Sequence, residues 1–187
     1  MSAYRAPVLL TIDDLEATPD DGCRYEIIDG ELYVSSAPSY IHQSLLAILV
    51  RRIGNYLEAK PSGAVIPGVG VILDNHNGVI PDLVYVSNAK LKELLAGGRL
   101  TGPPEIAIEI LSPGSSNEKR DRHIKLNLYA AYGVEEYWIV DPENRGVEIY
   151  RRSATGALDV CVNLRVGDQV ASPLLPGFDV NVDELFR

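Results

Sequence analysis

In the run Ile106-Ala107-Ile108-Glu109-Ile110-Leu111 a single carboxylate interrupts apolar residues. The run is short, rich in β-branched residues and apolar at both parities, the pattern of a strand covered on both faces. A lone ionised carboxylate buried there is costly, so Glu109 must be protonated, paired or bound to a cation. Alternation along a strand puts Glu109 on one face with Ala107 and Leu111 and the isoleucines on the other, and small Ala107 leaves room beside it. The bland alternative is a core glutamate satisfied by an arginine or a backbone amide.

Two further residues can join Glu109. Asp82 follows Pro81 at the mouth of a second apolar strand, Leu83-Val84-Tyr85-Val86. Its carboxylate can there face the end of a neighbouring strand, although Asp after Pro is also a common turn feature. Lys125 falls on a helical stripe with Asp121, Ile124, Leu128, Tyr129 and Tyr132, so it faces inward; its bland reading is a lysine whose stem packs while its ammonium escapes to water. Two carboxylates and a lysine suit metal-assisted phosphodiester hydrolysis. The carboxylates, Asp82 and Glu109, hold Mg²⁺ or Mn²⁺ through hard oxygens, the metal polarises the phosphate and acidifies a bound water, and Lys125 orients that water or stabilises developing charge. Glu31 is a candidate third metal ligand, and His42, in the first turn of a helix, a candidate contact to phosphate or substrate. Lys119, Arg120 and Arg122 are either solvated cations or phosphate contacts.

These residues need elements to position them. Thr11 caps a short helix, and runs at 25–28 and 31–35 form a hairpin across Asp29-Gly30, a dipeptide that tolerates positive φ. Apolar residues at helical spacing predict a long helix over 41–58, ended by Lys60-Pro61. One strand is expected within 64–73 and another at 82–86, then a helix over 88–96 terminated by Gly97-Gly98. After the Glu109 strand, Ser112-Pro113-Gly114 breaks the chain, and Ser115 with Glu118 has the spacing of a capping box for a helix running to Tyr132 before Gly133. Strands at 136–140 and 147–150 pair as a hairpin across 141–146. The sum is an α/β fold, a mixed β-sheet flanked by helices.

The chain has 187 residues, 46% hydrophobic and 23% charged, the proportions of an ordinary globular protein, and one domain over 1–187 is expected. No apolar run approaches the roughly 20 residues that cross a bilayer, and residues 1–5 lack a signal-peptide core, so a cytoplasmic protein with no membrane partner is expected. Cys23 and Cys161 have neither the number nor the spacing of a disulfide framework or zinc site. A net charge of −9 argues against an unaided, sequence-blind binder of nucleic acid. Recognition is local, however, and residues 117–125 concentrate cations beside the candidate site.

Several segments then carry a resemblance. Pro81-Asp82, the Glu109 strand with Ser112-Pro113 after it, Lys125-Leu126-Asn127-Leu128-Tyr129, and Gly133-Val134-Glu135-Glu136-Tyr137-Trp138-Ile139-Val140-Asp141-Pro142 follow in order. With Tyr25-Glu26-Ile27-Ile28-Asp29-Gly30-Glu31-Leu32 and Pro176-Gly177-Phe178 they resemble the Uma-type restriction endonucleases of the PD-(D/E)xK superfamily. The resemblance implies a restriction-endonuclease-like core, metal on Asp82 and Glu109, and Lys125 assisting the attacking water of a Mg²⁺-dependent endonuclease acting on DNA. The superfamily's usual lysine lies two residues after the glutamate, where this chain has Leu111, so here the lysine comes from the helix. Two rivals stand beside this reading: a non-catalytic binding or assembly module that retains the nuclease fold, and a carboxylate-pair hydrolase acting on a sugar. A homodimer would suit double-strand cutting, since it presents two symmetric sites.

Overall fold

The computed structural model describes residues 8–112 and 115–187, without the side chains of Ser115 and Ser116. The expected break at Pro113-Gly114, the expected cap from Ser115 and the reading of residues 1–5 lie outside the described residues.

The chain forms α1 (Ile12–Glu16), β1 (Arg24–Ile28), β2 (Glu31–Ser35), α2 (Tyr40–Ala59), β3 (Gly63–Pro67), β4 (Val71–Asp74), β5 (Asn77–Val79), β6 (Leu83–Ser87), α3 (Asn88–Leu94), β7 (Leu95–Ala96), β8 (Arg99–Leu100) and β9 (Ile106–Ile110). There follow α4 (Ser115–Lys119), a π-helical segment (Arg120–Lys125), α5 (Leu126–Tyr132), β10 (Glu136–Asp141), β11 (Gly146–Arg152), β12 (Leu158–Leu164), β13 (Gln169–Ser172), β14 (Leu175–Asn181) and α6 (Val182–Leu185). The central sheet has the order β12-β11-β10-β9-β6-β3. It is mixed, because β9 runs parallel to β10 and antiparallel to β6. A second sheet has the order β2-β1-β5-β4-β8-β7, and β13 and β14 form a separate pair.

β9 is buried at every position, and its alternation divides the core. Ile106, Ile108 and Ile110 pack with Leu45, Leu49, Ile53 and Leu57 of α2 and with residues of β13, β14 and α6. Ala107 and Leu111 pack on the opposite side with Leu128 and Tyr129 of α5 and with Ile28, Val71, Val79 and Leu100 of the second sheet. Each buried aliphatic side chain contributes about 1.5–3 kcal/mol relative to exposure, so these stripes fix which face of β9 carries Glu109. α2 starts at Ser39, whose hydroxyl accepts the His42 N–H at 3.2 Å, leaving His42 in the first turn on the buried side. No helix among the described residues is long and apolar enough to cross a membrane.

Asp29 and Gly30 adopt φ of 51° and 75° and turn the β1–β2 hairpin as expected. Three expectations are corrected. The span 64–73 yields two strands rather than one, β3 in the central sheet and β4 in the second, separated at Gly68 with φ 60°. The helix over 88–96 stops at Leu94, and Gly97 and Gly98, with φ of 56° and 78°, turn the short β7–β8 hairpin instead of capping a helix. The helix over 115–132 is interrupted by the π-helical segment, the wider form of turn that often marks functional sites in helices.

Candidate active site

The antiparallel pairing of β6 with β9 sets Leu83 opposite Ile108, which brings Asp82 level with Glu109. The main chain then ties the two acids together. The Ile110 N–H donates to Asp82 Oδ2 at 2.9 Å, and the Asp82 N–H points to Glu109 Oε2 at 3.4 Å. Arg24 of β1 places Nη1 2.8 Å from Asp82 Oδ1, and His42 of α2 places Nε2 2.9 Å from Oδ2. Burial opposes ionisation of Asp82, but the donors His42, Ile110 N–H and Arg24 outweigh it and hold the carboxyl well below the usual carboxylate range.

Glu109 is treated differently. Its Oε1 accepts from Lys125 Nζ at 2.8 Å and from the Tyr129 hydroxyl at 3.0 Å. Lys125, 1% exposed, also lies 2.9 Å from Glu26 Oε1, an oxygen that accepts the Ile80 N–H at 2.8 Å. Burial pushes the Glu109 carboxyl up to about 8; Lys125 opposes the rise and the nearby Asp82, Asp121 and Glu26 carboxylates add to it. Burial would lower the pKa of Lys125, but Glu109, Glu26 and Asp121 raise it above its ordinary value and keep the ammonium charged. Asp121 faces inward from the π segment, where burial raises its carboxyl against the pull of Lys125 and Arg120.

Asp82 and Glu109 lie at the floor of a cleft of about 310 Å³, lined also by Arg24, Ser35, His42 and Arg120 among others. Arg120 spans it, with Nη1 2.8 Å from Ser35 Oγ and Nε 3.2 Å from Asp121 Oδ1. Lys125 does not line the cleft; it lies behind Glu109.

The structure therefore brings together Asp82, Glu109, Lys125, His42 and Arg120. It does not bring in the other sequence candidates. Glu31 is exposed at the start of β2 and accepts from the Tyr33 hydroxyl at 3.1 Å, so the glutamate at the site is Glu26, two positions N-terminal to the hairpin end. Lys119 is exposed on α4 and does not line the cleft. Arg122 is engaged by Glu118, Asp141 and Glu148 rather than presented to a ligand. Arg122→Ala is expected to cost about 1–3 kcal/mol in urea unfolding, whereas Lys119→Ala should stay within about 0.5 kcal/mol. Unchanged stability together with weakened oligonucleotide binding in Arg122→Ala would return that residue to the interface.

Arg24, Glu26, Asp121 and Tyr129 escaped the sequence reading. The available signal for Glu26 was the same as for Glu109, a carboxylate beside the apolar pair Ile27-Ile28; Asp121 stood in the inward stripe with Lys125 but was read only as a helical position.

The donor set suits a hard divalent cation. Four buried carboxyl groups, Glu26, Asp82, Glu109 and Asp121, face the three permanent cations Arg24, Arg120 and Lys125, so full ionisation of the four leaves negative charge in excess. Among the described residues no three His, Cys, Asp or Glu side chains converge into a complete cage. Mg²⁺ commonly takes one or two carboxylates and completes its shell with water and substrate oxygens; Asp82 and Glu109, adjacent and open to the cleft, fit that requirement.

The architecture defined by these observations is a mixed α/β fold whose mixed sheets are flanked by helices. It is shared with a solved protein, a "putative nuclease belonging to DUF820 from Anabaena variabilis ATCC 29413", at TM-score 0.77 and 17% identity over 96% of this chain and 98% of that one. Residues 12–183 match the Uma2 family, described as "Putative restriction endonuclease", and the chain belongs to that family. No curated protein matches it.

Proposed function

We propose that the protein is a Mg²⁺- or Mn²⁺-dependent nuclease that hydrolyses phosphodiester bonds, with DNA as substrate. The observation that carries this reading is the placement of Asp82 and Glu109 side by side on neighbouring strands at the floor of an open cleft, with Lys125 bonded to Glu109 from behind. The family, described as "Putative restriction endonuclease", and the fold shared with the protein described as a "putative nuclease" support it.

Asp82 and Glu109 would hold the cation. When bound, it polarises the phosphate and acidifies a water ligand. The chain's own residues do the rest. His42 and the Ile110 N–H fix Asp82 Oδ2 in one orientation, and Lys125 and Tyr129 fix Glu109 Oε1. Lys125 bonds Glu109 from beneath and opposes the rise of its carboxyl rather than meeting the attacking water itself, so it is a positioning residue. Cations that face the substrate are Arg24 and Arg120, which can take phosphate oxygens in the geometry that guanidinium groups favour.

Incubating the protein with plasmid and labelled oligonucleotides tests the reading: cleavage is expected with Mg²⁺ or Mn²⁺, none with EDTA, and a loss of at least about 100-fold in Asp82→Asn and Glu109→Gln, in keeping with the several kcal/mol that a catalytic metal contributes. One observation favours the rival reading, a binding or assembly module: Lys125 is shut away from the cleft. Metal-dependent nucleic-acid binding with no turnover of any substrate would make that reading the better one.

A further inference from the structure

Arg24 sits on the side of Asp82 where a cation would bind. Its Nη1 reaches Asp82 Oδ1 at 2.8 Å and the Ile80 carbonyl at 3.3 Å. The other carboxylate oxygen, Oδ2, is held by two interior donors, His42 Nε2 and the Ile110 N–H, both at 2.9 Å. Among the described residues Arg24 is the hydrogen-bond partner of Oδ1. The two kinds of partner differ in freedom: the His42 side chain is 5% exposed, whereas that of Arg24 is 29% exposed and lines the cleft. A buried aspartate without a counter-charge is costly, and in this structure Arg24 supplies that charge at Oδ1. A guanidinium and a divalent cation are both suited to that place, and they repel each other if both remain.

We propose that Arg24 stands in for the metal on Asp82, and that a cation arriving at Asp82 and Glu109 turns the guanidinium outward to a phosphate oxygen of the substrate. This rests on the metal-dependent reading above. His42 and the Ile110 N–H hold the carboxylate still during the exchange, and the stem of Arg24 is long enough to pivot about a fixed β1 backbone. One residue thus keeps the empty site stable and, once displaced, binds substrate only where metal is present.

The signature is a pair of opposite effects from one substitution. Calorimetric titration of Mn²⁺ into Arg24→Met should show binding at least tenfold tighter than wild type, because the competitor is gone. Arg120→Met removes the same charge from the same cleft but from a residue bonded to Asp121 and Ser35, and should change Mn²⁺ affinity by less than threefold. Adding Glu109→Gln should abolish the tight binding in every background. In Ca²⁺, fluorescence anisotropy of a labelled oligonucleotide should show Arg24→Met binding several-fold more weakly, with the salt slope reduced by about 1. Circular dichroism checks each fold, and Arg24→Gln, which keeps a neutral donor near Asp82, gives an intermediate Mn²⁺ affinity if the Met variant does not fold. Mn²⁺ binding through Glu109 that is no tighter in Arg24→Met and Arg24→Gln than in wild type overturns the proposal and leaves the metal reading standing. Equal tightening in the Arg24 and Arg120 variants also overturns it, as a diffuse charge effect. Absence of Mn²⁺ binding in wild type and both Arg24 variants overturns the proposal and the metal reading together.

Discussion

Mg²⁺ or Mn²⁺ at about 100 times its dissociation constant is expected to raise the melting temperature by about 5–10 °C, and Glu109→Gln to abolish the rise. A ligand of the folded state at that concentration stabilises by about 2.7 kcal/mol, and each kcal/mol moves the midpoint of a chain of this size by about 2–4 °C. Glutamine keeps the shape of Glu109 and an acceptor for Lys125 and Tyr129, so the variant should fold while losing the ligand charge. The effect also has a defined pH dependence. Burial, with Asp82, Asp121 and Glu26, raises the Glu109 carboxyl to about 8 from an ordinary value of 4.5. Because the folded-state value is the higher one, the metal-free protein binds the extra proton, and this contribution to stability is lost as pH rises from about 4.5 through 8. A cation takes the ionised carboxylate, so metal affinity should strengthen across the same window. A thermal shift of equal size in Glu109→Gln places the cation elsewhere.

Lys125→Met is expected to cost about 3–5 kcal/mol, because it strands Glu109 and Glu26 in the interior without their shared counter-charge. Methionine fills most of the same volume, so the loss reads charge rather than packing. Glu26→Gln added to Lys125→Met removes one of the stranded carboxylates and should recover much of the stability. It should not recover turnover, since Glu109 still lacks the ammonium that opposes the rise of its carboxyl, and metal affinity should stay weakened. Urea unfolding, Mn²⁺ titration and cleavage rate on wild type, Lys125→Met, Glu26→Gln and the double variant separate these effects. Full recovery of cleavage in the double variant means Lys125 serves the fold alone.

The burial of Glu109 and Lys125 was legible because each is a charge set into an apolar period, and the period itself states which way the side chain points; Asp82 was placed only by its position at the mouth of the next strand. The split of β9 into an isoleucine face and an Ala107–Leu111 face follows from strand alternation alone. Arg24 and Glu26 were hidden because a hairpin strand is ordinarily wet on one face, and β1 becomes an inner strand only by pairing with the distant β5, with Glu26 meeting Lys125 of the π segment. Register of that kind is set by non-local pairing that no local window contains. The Gly97-Gly98 pair was ambiguous for a related reason: positive φ serves a helix stop and a hairpin turn equally, and β8 pairing with β4 at Leu100 decides between them. The π segment left no distinct trace, since Asp121 and Lys125 are spaced as in an ordinary helix.

The most direct measurement of the central claim is the anomalous signal of crystals grown with Mn²⁺ and an oligonucleotide whose scissile phosphate is a non-cleavable phosphorothioate. The account predicts a Mn²⁺ peak between Asp82 and Glu109 with a phosphate oxygen completing its shell. Density for a well-ordered oligonucleotide at saturating Mn²⁺, with no metal on either carboxylate, would contradict it.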